Sequence, residues 1–112
     1  MLQQEAENAL KQASTIVETN YRVTGEGKLL PLAVSYIQKA MESAWKAREE
    51  KEKPMLLKEL EQILKNRKES AVEFVRKEKF ILCGENYTTE IIEEKKVKEW
   101  IKKAEEYIKE NA

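Results

Sequence analysis

The chain has 112 residues, of which 41% are apolar and 38% charged, and its 21 basic side chains balance 21 acidic ones. This length is typical of one compact domain, so we expect a single domain over residues 1–112. The sequence contains no histidine and no aspartate, which argues against hydrolases, kinases and metal-dependent nucleases, because these residues supply most acid–base catalysis and much metal binding.

Apolar residues at three- and four-residue steps predict a first helix of roughly 18 residues, from Leu2 to Val17. Its apolar face is narrow and rich in alanine, which would let a neighbouring helix approach closely. The helical period then stops, and Gly25 and Gly27 supply the backbone freedom of a turn. We expect the chain to reverse its direction there.

A second helix is predicted to begin near Leu29 or Leu30, with Pro31 in its first turn, where the missing N–H would be unpaired in any case. Its apolar face ends in a charged run, residues 46–53, which Pro54 closes. A third helix follows at once, with leucine and isoleucine pointing inward as far as Leu64, and it falters over residues 66–69.

In the C-terminal part of the sequence the predicted secondary structure changes from helix to strand and back to helix. Ser70 and Glu73 form a Ser-x-x-Glu arrangement typical of a helix start, which predicts a short restarted helix through Val75. Residues 79–83 and 87–92 are rich in β-formers and flank a glycine-containing loop, which predicts a β-hairpin. A last helix spans about residues 94–110. The predicted fold is mainly α, an up-and-down bundle of about four helices with a short β-hairpin before the last helix.

Charges of opposite sign alternate along the chain. Glutamate precedes lysine by four residues, the favourable order for ion pairs on a helix face, at Glu42/Lys46, Glu49/Lys53, Glu61/Lys65, Glu73/Lys77, Glu94/Lys98, Glu99/Lys103 and Glu105/Lys109. Such enrichment in lysine and glutamate is common in hyperthermophiles. We therefore expect a thermophilic source, and a surface without a marked preference for polyanions.

No apolar stretch approaches the length of a membrane span, and the N-terminus is rich in glutamine and glutamate rather than basic. We expect a soluble, cytoplasmic protein that does not contact a membrane. Its single cysteine, Cys83, has no histidine to activate it as a nucleophile. Strand alternation places it on the face of Ile81, which favours inert packing.

Two further patterns have simple explanations. Residues 25–28, Gly-Glu-Gly-Lys, resemble the end of a phosphate-binding loop, but Arg22 and Leu29 occupy positions where the full pattern requires glycine and a hydroxyl residue. An ordinary turn is the better reading. Glutamates at the spacing of a metal site, Glu69/Glu73 and Glu106/Glu110, lack a sign of burial. We expect no metal site, no cofactor and no catalytic residue.

Arginine is rare beside lysine, and its planar fork suits bidentate recognition of phosphate or carboxylate. The candidate ligand-binding residues are therefore Arg22 and Lys28 near the first turn and Arg67 and Arg76 around the third helix. These four residues can also be explained as ion-pair partners of neighbouring glutamates. We expect most of the aromatic side chains to pack in the core. Those at the edges of the second helix's apolar face, Tyr36 and Trp45, are typical of subunit interfaces.

Two stretches, residues 20–30 and 69–83, followed by a tyrosine-bearing turn and a Val-Lys-Glu-Trp-Ile helix, resemble a group of uncharacterised archaeal helical-bundle proteins that are distantly similar to HEPN domains. The resemblance covers most of the chain, although those proteins have a longer insertion where this one has the charged turn around Pro54. It implies a dimeric helical bundle. Many HEPN domains are ribonucleases with an Arg-x4-6-His motif, which a chain without histidine cannot carry.

The resemblance and the composition together predict a non-catalytic, HEPN-like helical module that forms a homodimer and binds a protein or RNA partner; nothing in the sequence indicates DNA. The alternative is a small enzyme or binding protein for a phosphorylated or nucleotide ligand, with Arg22, Lys28, Arg67 and Arg76 supplying the charge. Convergence of these four residues in one cleft would favour the alternative. A third hypothesis is a purely structural subunit, but no feature of the sequence specifically supports it.

Overall fold

The computed structural model describes the backbone of residues 1–20, 29–65, 72–76, 79–83 and 89–110, and the side chains of residues 1–19, 30, 32–64 and 93–110. Over this part of the chain four α-helices account for most residues: α1 (Leu2–Thr15), α2 (Leu29–Arg48), α3 (Met55–Lys65) and α4 (Glu94–Glu110). The prediction of a mainly helical bundle is confirmed. The predicted turn at Gly25 and Gly27 lies outside the described residues.

The helix boundaries follow from local sequence. The first predicted helix is present, but its last part is a π-helical turn, Ile16–Asn20, in which Ile16 and Val17 are still buried. Helix α2 begins at Leu29 as predicted, and Arg48 ends it. Glu49 then adopts a left-handed backbone conformation, with φ 57°, and its N–H donates to the Lys46 carbonyl at 3.2 Å. This is the geometry of a helix C-terminus that usually selects glycine.

Helix α2 is the centre of the bundle. It packs against α1 over the most extensive helix pair and also contacts α3 and α4. Alanines on both helices are fully or almost fully buried where α1 and α2 are close, which gives the alanine-rich face of α1 its neighbour within the same chain. The rest of the core is made of larger side chains from all four helices: Leu10, Leu30, Val34, Ile37, Met41, Leu57, Leu60, Ile63, Val97, Trp100 and Ile108.

Among the described residues between α3 and α4 there are three strands, β1 (Val72–Arg76), β2 (Lys79–Cys83) and β3 (Thr89–Glu93), in the order β1-β2-β3. The structure thus differs from the predicted single hairpin. Strands β2 and β3 pair antiparallel from Lys79↔Glu93 to Cys83↔Thr89, and β1 pairs antiparallel with β2 with a shift of register between Phe74 and Arg76. The predicted loop, residues 84–86, lies outside the described residues.

The prediction of a restarted helix from Ser70 to Val75 is wrong, because Val72–Arg76 is strand β1. A Ser-x-x-Glu arrangement satisfies only the first N–H groups of a helix. Val72, Phe74 and Val75 favour an extended backbone, and pairing with β2 satisfies backbone groups along the whole segment. Long-range pairing therefore outweighed the short-range signal.

Candidate functional site

A groove runs along the surface between α1 and α2, with a volume of about 460 Å³. Its walls are Glu5, Asn8 and Gln12 from α1 and Tyr36 and Lys39 from α2, and Ala9 contributes to the lining. The α1 residues lie three or four positions apart and therefore share one face of that helix. The small side chain of Ala9, which is buried, keeps the groove open between the two helices.

An exposed apolar residue stands beside this groove. Leu32 lies one turn before Tyr36 on α2, on the same face, and 41% of its surface is exposed. Tyr36 packs partly against the core, so its ring is only half-buried. Together Leu32 and Tyr36 give this side of α2 an apolar surface next to polar groups.

The groove also carries one charge of each sign, Glu5 on α1 and Lys39 on α2. Many lysines and glutamates on other helix faces are paired four residues apart, as in Glu105 and Lys109 at 2.8 Å. Neither Glu5 nor Lys39 has an ion-pair partner among the residues that the structure describes. Both side chains are exposed to solvent, so they can meet a partner as far as the described residues are concerned.

A cluster of polar contacts lies where α2 and α4 end. The Arg48 guanidinium carbon is 3.8 Å from the centre of the Tyr107 ring, in cation–π geometry. Its Nη2 donates to the Tyr107 carbonyl at 2.8 Å and to Glu110 at 3.2 Å, while Nη1 donates to Glu50 at 3.1 Å. Only 15% of the Arg48 side chain is exposed. One arginine thus connects α2, the following turn and α4.

Protonation in this cluster follows from burial and charge. Burial works to lower the pKa of Arg48, but the hydrogen bonds to Glu110 and Glu50 outweigh it, so the pKa is raised above its ordinary value. Burial raises the pKa of Tyr107, partly opposed by the charge of Arg48. The Tyr107 hydroxyl and Arg48 Nε are buried without a hydrogen-bond partner among the described residues. Arg48 stays charged and Tyr107 stays neutral at physiological pH.

The cluster caps the end of α4. The last four carbonyls of an α-helix have no partner within the helix, and Arg48 supplies a donor to one of them, Tyr107. Gln3, in the first turn of α1, donates from Nε2 to the next, Ile108, at 3.2 Å. The start of α1 and the ends of α2 and α4 therefore meet at one end of the bundle. This arrangement explains Arg48 as a structural tie rather than as a ligand-binding group.

Trp45 holds the turn between α2 and α3. Its indole N–H donates to the Glu52 carbonyl at 3.1 Å, and the Lys53 ammonium lies 5.1 Å from the centre of its ring. Lys53 also forms an ion pair with Glu61 of α3 at 2.9 Å. Trp45 thus makes contacts within its own chain. These contacts explain its position at the edge of α2 without a second subunit.

None of the four predicted ligand-binding residues has a side chain in the described part of the structure. Arg22, Lys28 and Arg67 lie outside the described residues. Arg76 is the last residue of β1, where the structure describes the backbone and not the side chain. Their convergence in one cleft stays a prediction. The side chain of Cys83, at the end of β2, is likewise outside the described part.

Sequence reasoning did not single out Arg48, although one signal pointed to it. A basic residue in the last turn of a helix is placed to contact free carbonyls at a C-terminus. Here the carbonyl belongs to another helix, which only the packing of α2 against α4 determines. Of the glutamates at metal-site spacing, Glu110 is 70% exposed and pairs with Arg48, which explains its position without a metal.

Within the described residues, no group of three potential ligands from histidine, cysteine, aspartate and glutamate could hold a metal ion. No helix in that part of the chain has both the length and the apolar character required to cross a bilayer. Comparisons with known protein families, with curated proteins and with solved structures found no match. The resemblance to HEPN-like archaeal bundles therefore stays a prediction.

Proposed function

We propose that this chain is a non-catalytic helical module, distantly HEPN-like, that forms a homodimer and acts by binding a protein partner. The observation that carries the homodimer is the pairing of exposed Leu32 with half-buried Tyr36 beside the groove between α1 and α2. Tyrosine is enriched at protein interfaces, where it offers a large apolar surface and a polar tip. The neighbouring polar wall can supply hydrogen bonds at the rim.

A protein partner is favoured over RNA by the charge of the described surface. Among the described side chains glutamates outnumber lysines and arginines by two. Along α1 and the π-helical turn that follows it there are three glutamates, Glu5, Glu7 and Glu18, and one lysine, Lys11. Binding to a nucleic-acid backbone requires clustered positive charge. The described faces of α1 and α2 offer mixed charge instead.

The polar clusters of the described helices support a non-catalytic role in one respect. Arg48 and Trp45, which could otherwise be suspected of binding a ligand, are engaged with Tyr107 and Glu52 inside the chain. The alternative, recognition of a phosphorylated or nucleotide ligand, depends on Arg22, Lys28, Arg67 and Arg76, whose side chains lie outside the described part of the chain. The nucleotide-binding experiment described below tests this alternative directly.

The proposal includes a cytoplasmic location and a thermophilic source. The absence of a second cysteine suits a reducing compartment. Ion pairs at four-residue spacing on α2 and α4 are of the kind that thermophiles use. A melting temperature of the purified protein below about 60 °C, where mesophilic domains cluster, would contradict the thermophilic part.

The experiment measures mass and RNA binding on the same preparation. Light scattering after size exclusion, from about 1 to 100 μM, is expected to show a dimer mass that increases with concentration, as mass action requires. Fluorescence anisotropy with a single-stranded RNA is expected to show no binding at low salt. A monomer throughout would refute the homodimer. RNA binding that weakens steeply with salt would replace the protein partner by a nucleic acid.

In the same assay a labelled nucleotide tests the alternative. Saturable binding that Arg22→Ala or Arg76→Ala abolishes, with an unchanged thermal unfolding curve, would favour the phosphorylated-ligand reading over the protein partner. Matched changes of lysines on α4, Lys95→Ala and Lys102→Ala, serve as controls because both side chains are exposed. No binding of the nucleotide is the expected result.

A further inference from the structure

The groove between α1 and α2 contains two opposite charges without a partner in the described part of the chain, Glu5 and Lys39, beside the apolar pair Leu32 and Tyr36. We propose that a second copy of this chain occupies the groove, so that Glu5 of each copy meets Lys39 of the other. This inference rests on the proposed homodimer and names its interface. It concerns α1 and α2, not the sheet or the ends of the bundle.

The charges of the groove suit a copy of itself. In a dimer with two-fold symmetry the same patch serves both subunits, so that when one residue contacts a second, the second also contacts the first across the axis. A patch with one sign of charge would repel its copy. A patch with Glu5 on one wall and Lys39 on the other forms two equivalent ion pairs, and charge complementarity of this kind fixes the register of an interface.

The polarity of the lining also suits a symmetric contact. Asn8 and Gln12 each carry both donors and an acceptor, so each can bond with polar groups of α2 in the other copy, the helix that the Glu5–Lys39 pairs bring against α1. The exposed surfaces of Leu32 and Tyr36 would be covered by α1 of the other copy at the same time. Both walls are on helices that the core fixes, through Ala9 and Ala40 and their buried neighbours. The surface is therefore already formed before association.

The size of the surface predicts a weak dimer. Helix α1 is about 20 Å long at 1.5 Å per residue, and two helices side by side are roughly 20 Å wide. The projected footprint is then about 400 Å² on each copy, below the roughly 800 Å² per partner of standard stable interfaces. We expect dissociation in the micromolar range, with exchange between subunits fast enough for two variants to mix.

The test is a charge exchange. Glu5→Lys and Lys39→Glu each replace two attractive pairs by two repulsive ones in a dimer of identical copies. Each is expected to raise the dissociation constant at least about tenfold, since juxtaposed like charges oppose association. An equimolar mixture of the two variants contains only attractive pairs across the interface. Sedimentation velocity is therefore expected to show a dimer in the mixture at concentrations where each variant alone is a monomer.

Two controls carry the same charge changes elsewhere. Glu7→Lys lies on the outer surface of α1, and Lys58→Glu lies on the exposed face of α3. Both are expected to leave the dissociation constant within about twofold of the original, and thermal unfolding monitored by circular dichroism checks that all four variants fold. The double variant Glu5→Lys/Lys39→Glu is expected to dimerise like the original chain, because it restores both pairs with exchanged sides.

The outcomes separate the two proposals. A monomeric original chain would refute the homodimer and its interface together. A dimer that neither charge change weakens would refute only the groove, and the dimer would then use another surface. If each charge change weakened dimerisation but the mixture of the two variants did not dimerise, the groove would also be refuted as the interface. That result would show that Glu5 and Lys39 do not pair with each other across the two-fold axis.

Discussion

Replacing Arg48 with methionine tests the tie between α2 and α4. Methionine keeps an unbranched apolar stem on the Tyr107 ring, while the charge and all the donors are lost. The change removes the 2.8 Å hydrogen bond to the Tyr107 carbonyl, the cation–π contact and two ion pairs. The end of α4 keeps only the contact of Gln3 with Ile108 as a side-chain cap from another helix among those the structure describes.

The expected loss can be assembled from these contacts. A hydrogen bond from a charged donor contributes about 1.5 to 3 kcal/mol, and a cation–π contact about 0.5 to 2 kcal/mol depending on its exposure. The ion pairs add little, because Glu50 and Glu110 are 46% and 70% exposed and water screens them. The total is about 2 to 5 kcal/mol, which for a domain of this size lowers the melting temperature by roughly 10 °C or more.

Urea unfolding followed by circular dichroism, with thermal unfolding alongside, measures this loss. Arg48→Lys is expected to lose about half as much, because lysine keeps the charge but neither stacks on the ring in the same way nor bonds through a planar fork. The control is Lys46→Met, in the same last turn of α2, where the side chain is exposed and its ion pair within the described part of the chain is with Glu42. If Arg48→Met were no more destabilising than Lys46→Met, the capping role would be wrong.

Tyr107→Phe is expected to leave stability at pH 7 unchanged or raise it by up to about 1 kcal/mol, because it removes a buried hydroxyl without a partner in the described structure. Folding raises the pKa of Tyr107, so the unfolded chain loses that proton first and stability falls as the pH rises through about 10. Urea unfolding at pH 7 and 10.5 should show the smaller decline in Tyr107→Phe; equal declines would contradict the burial argument. Glu49→Gly is expected to stabilise by about 0.5 to 1 kcal/mol, because the left-handed conformation suits glycine and a negative charge opposes the helix dipole. The same change at Glu59, inside α3, should destabilise by about 1 kcal/mol, and the same sign at both positions would refute this reasoning.

The helices could be predicted because their apolar positions recur at helical spacing. Leu29 with Pro31 fixed the start of α2, and Pro54 fixed the start of α3, where the chain has little choice of backbone conformation. The predicted pair Glu42/Lys46 and three pairs on α4 are present. Lys53 instead pairs with Glu61, since Glu49 is outside the helix and cannot serve as its neighbour one turn away.

The parts that could not be predicted depend on residues far apart in sequence. Strand β1 required knowledge that Val72 faces Leu82 in a sheet. The role of Arg48 required the position of Tyr107, 59 residues later. The groove could not be read from the sequence because its polar residues, such as Asn8 and Gln12, are ordinary for an exposed helix face. Only the packing of α1 on α2 brings them beside Lys39 and Tyr36.

The hydrogen bond from Gln3 to Ile108 joins residues separated by 105 positions. During synthesis α1 and α2 leave the ribosome well before α4, because chains grow at about 5 to 20 residues per second. The pair α1 and α2 can form early, but Trp100 and Ile108 reach the core only after α4 has emerged. Nascent chains that end before α4 should therefore expose the apolar surface that α4 covers in the complete bundle.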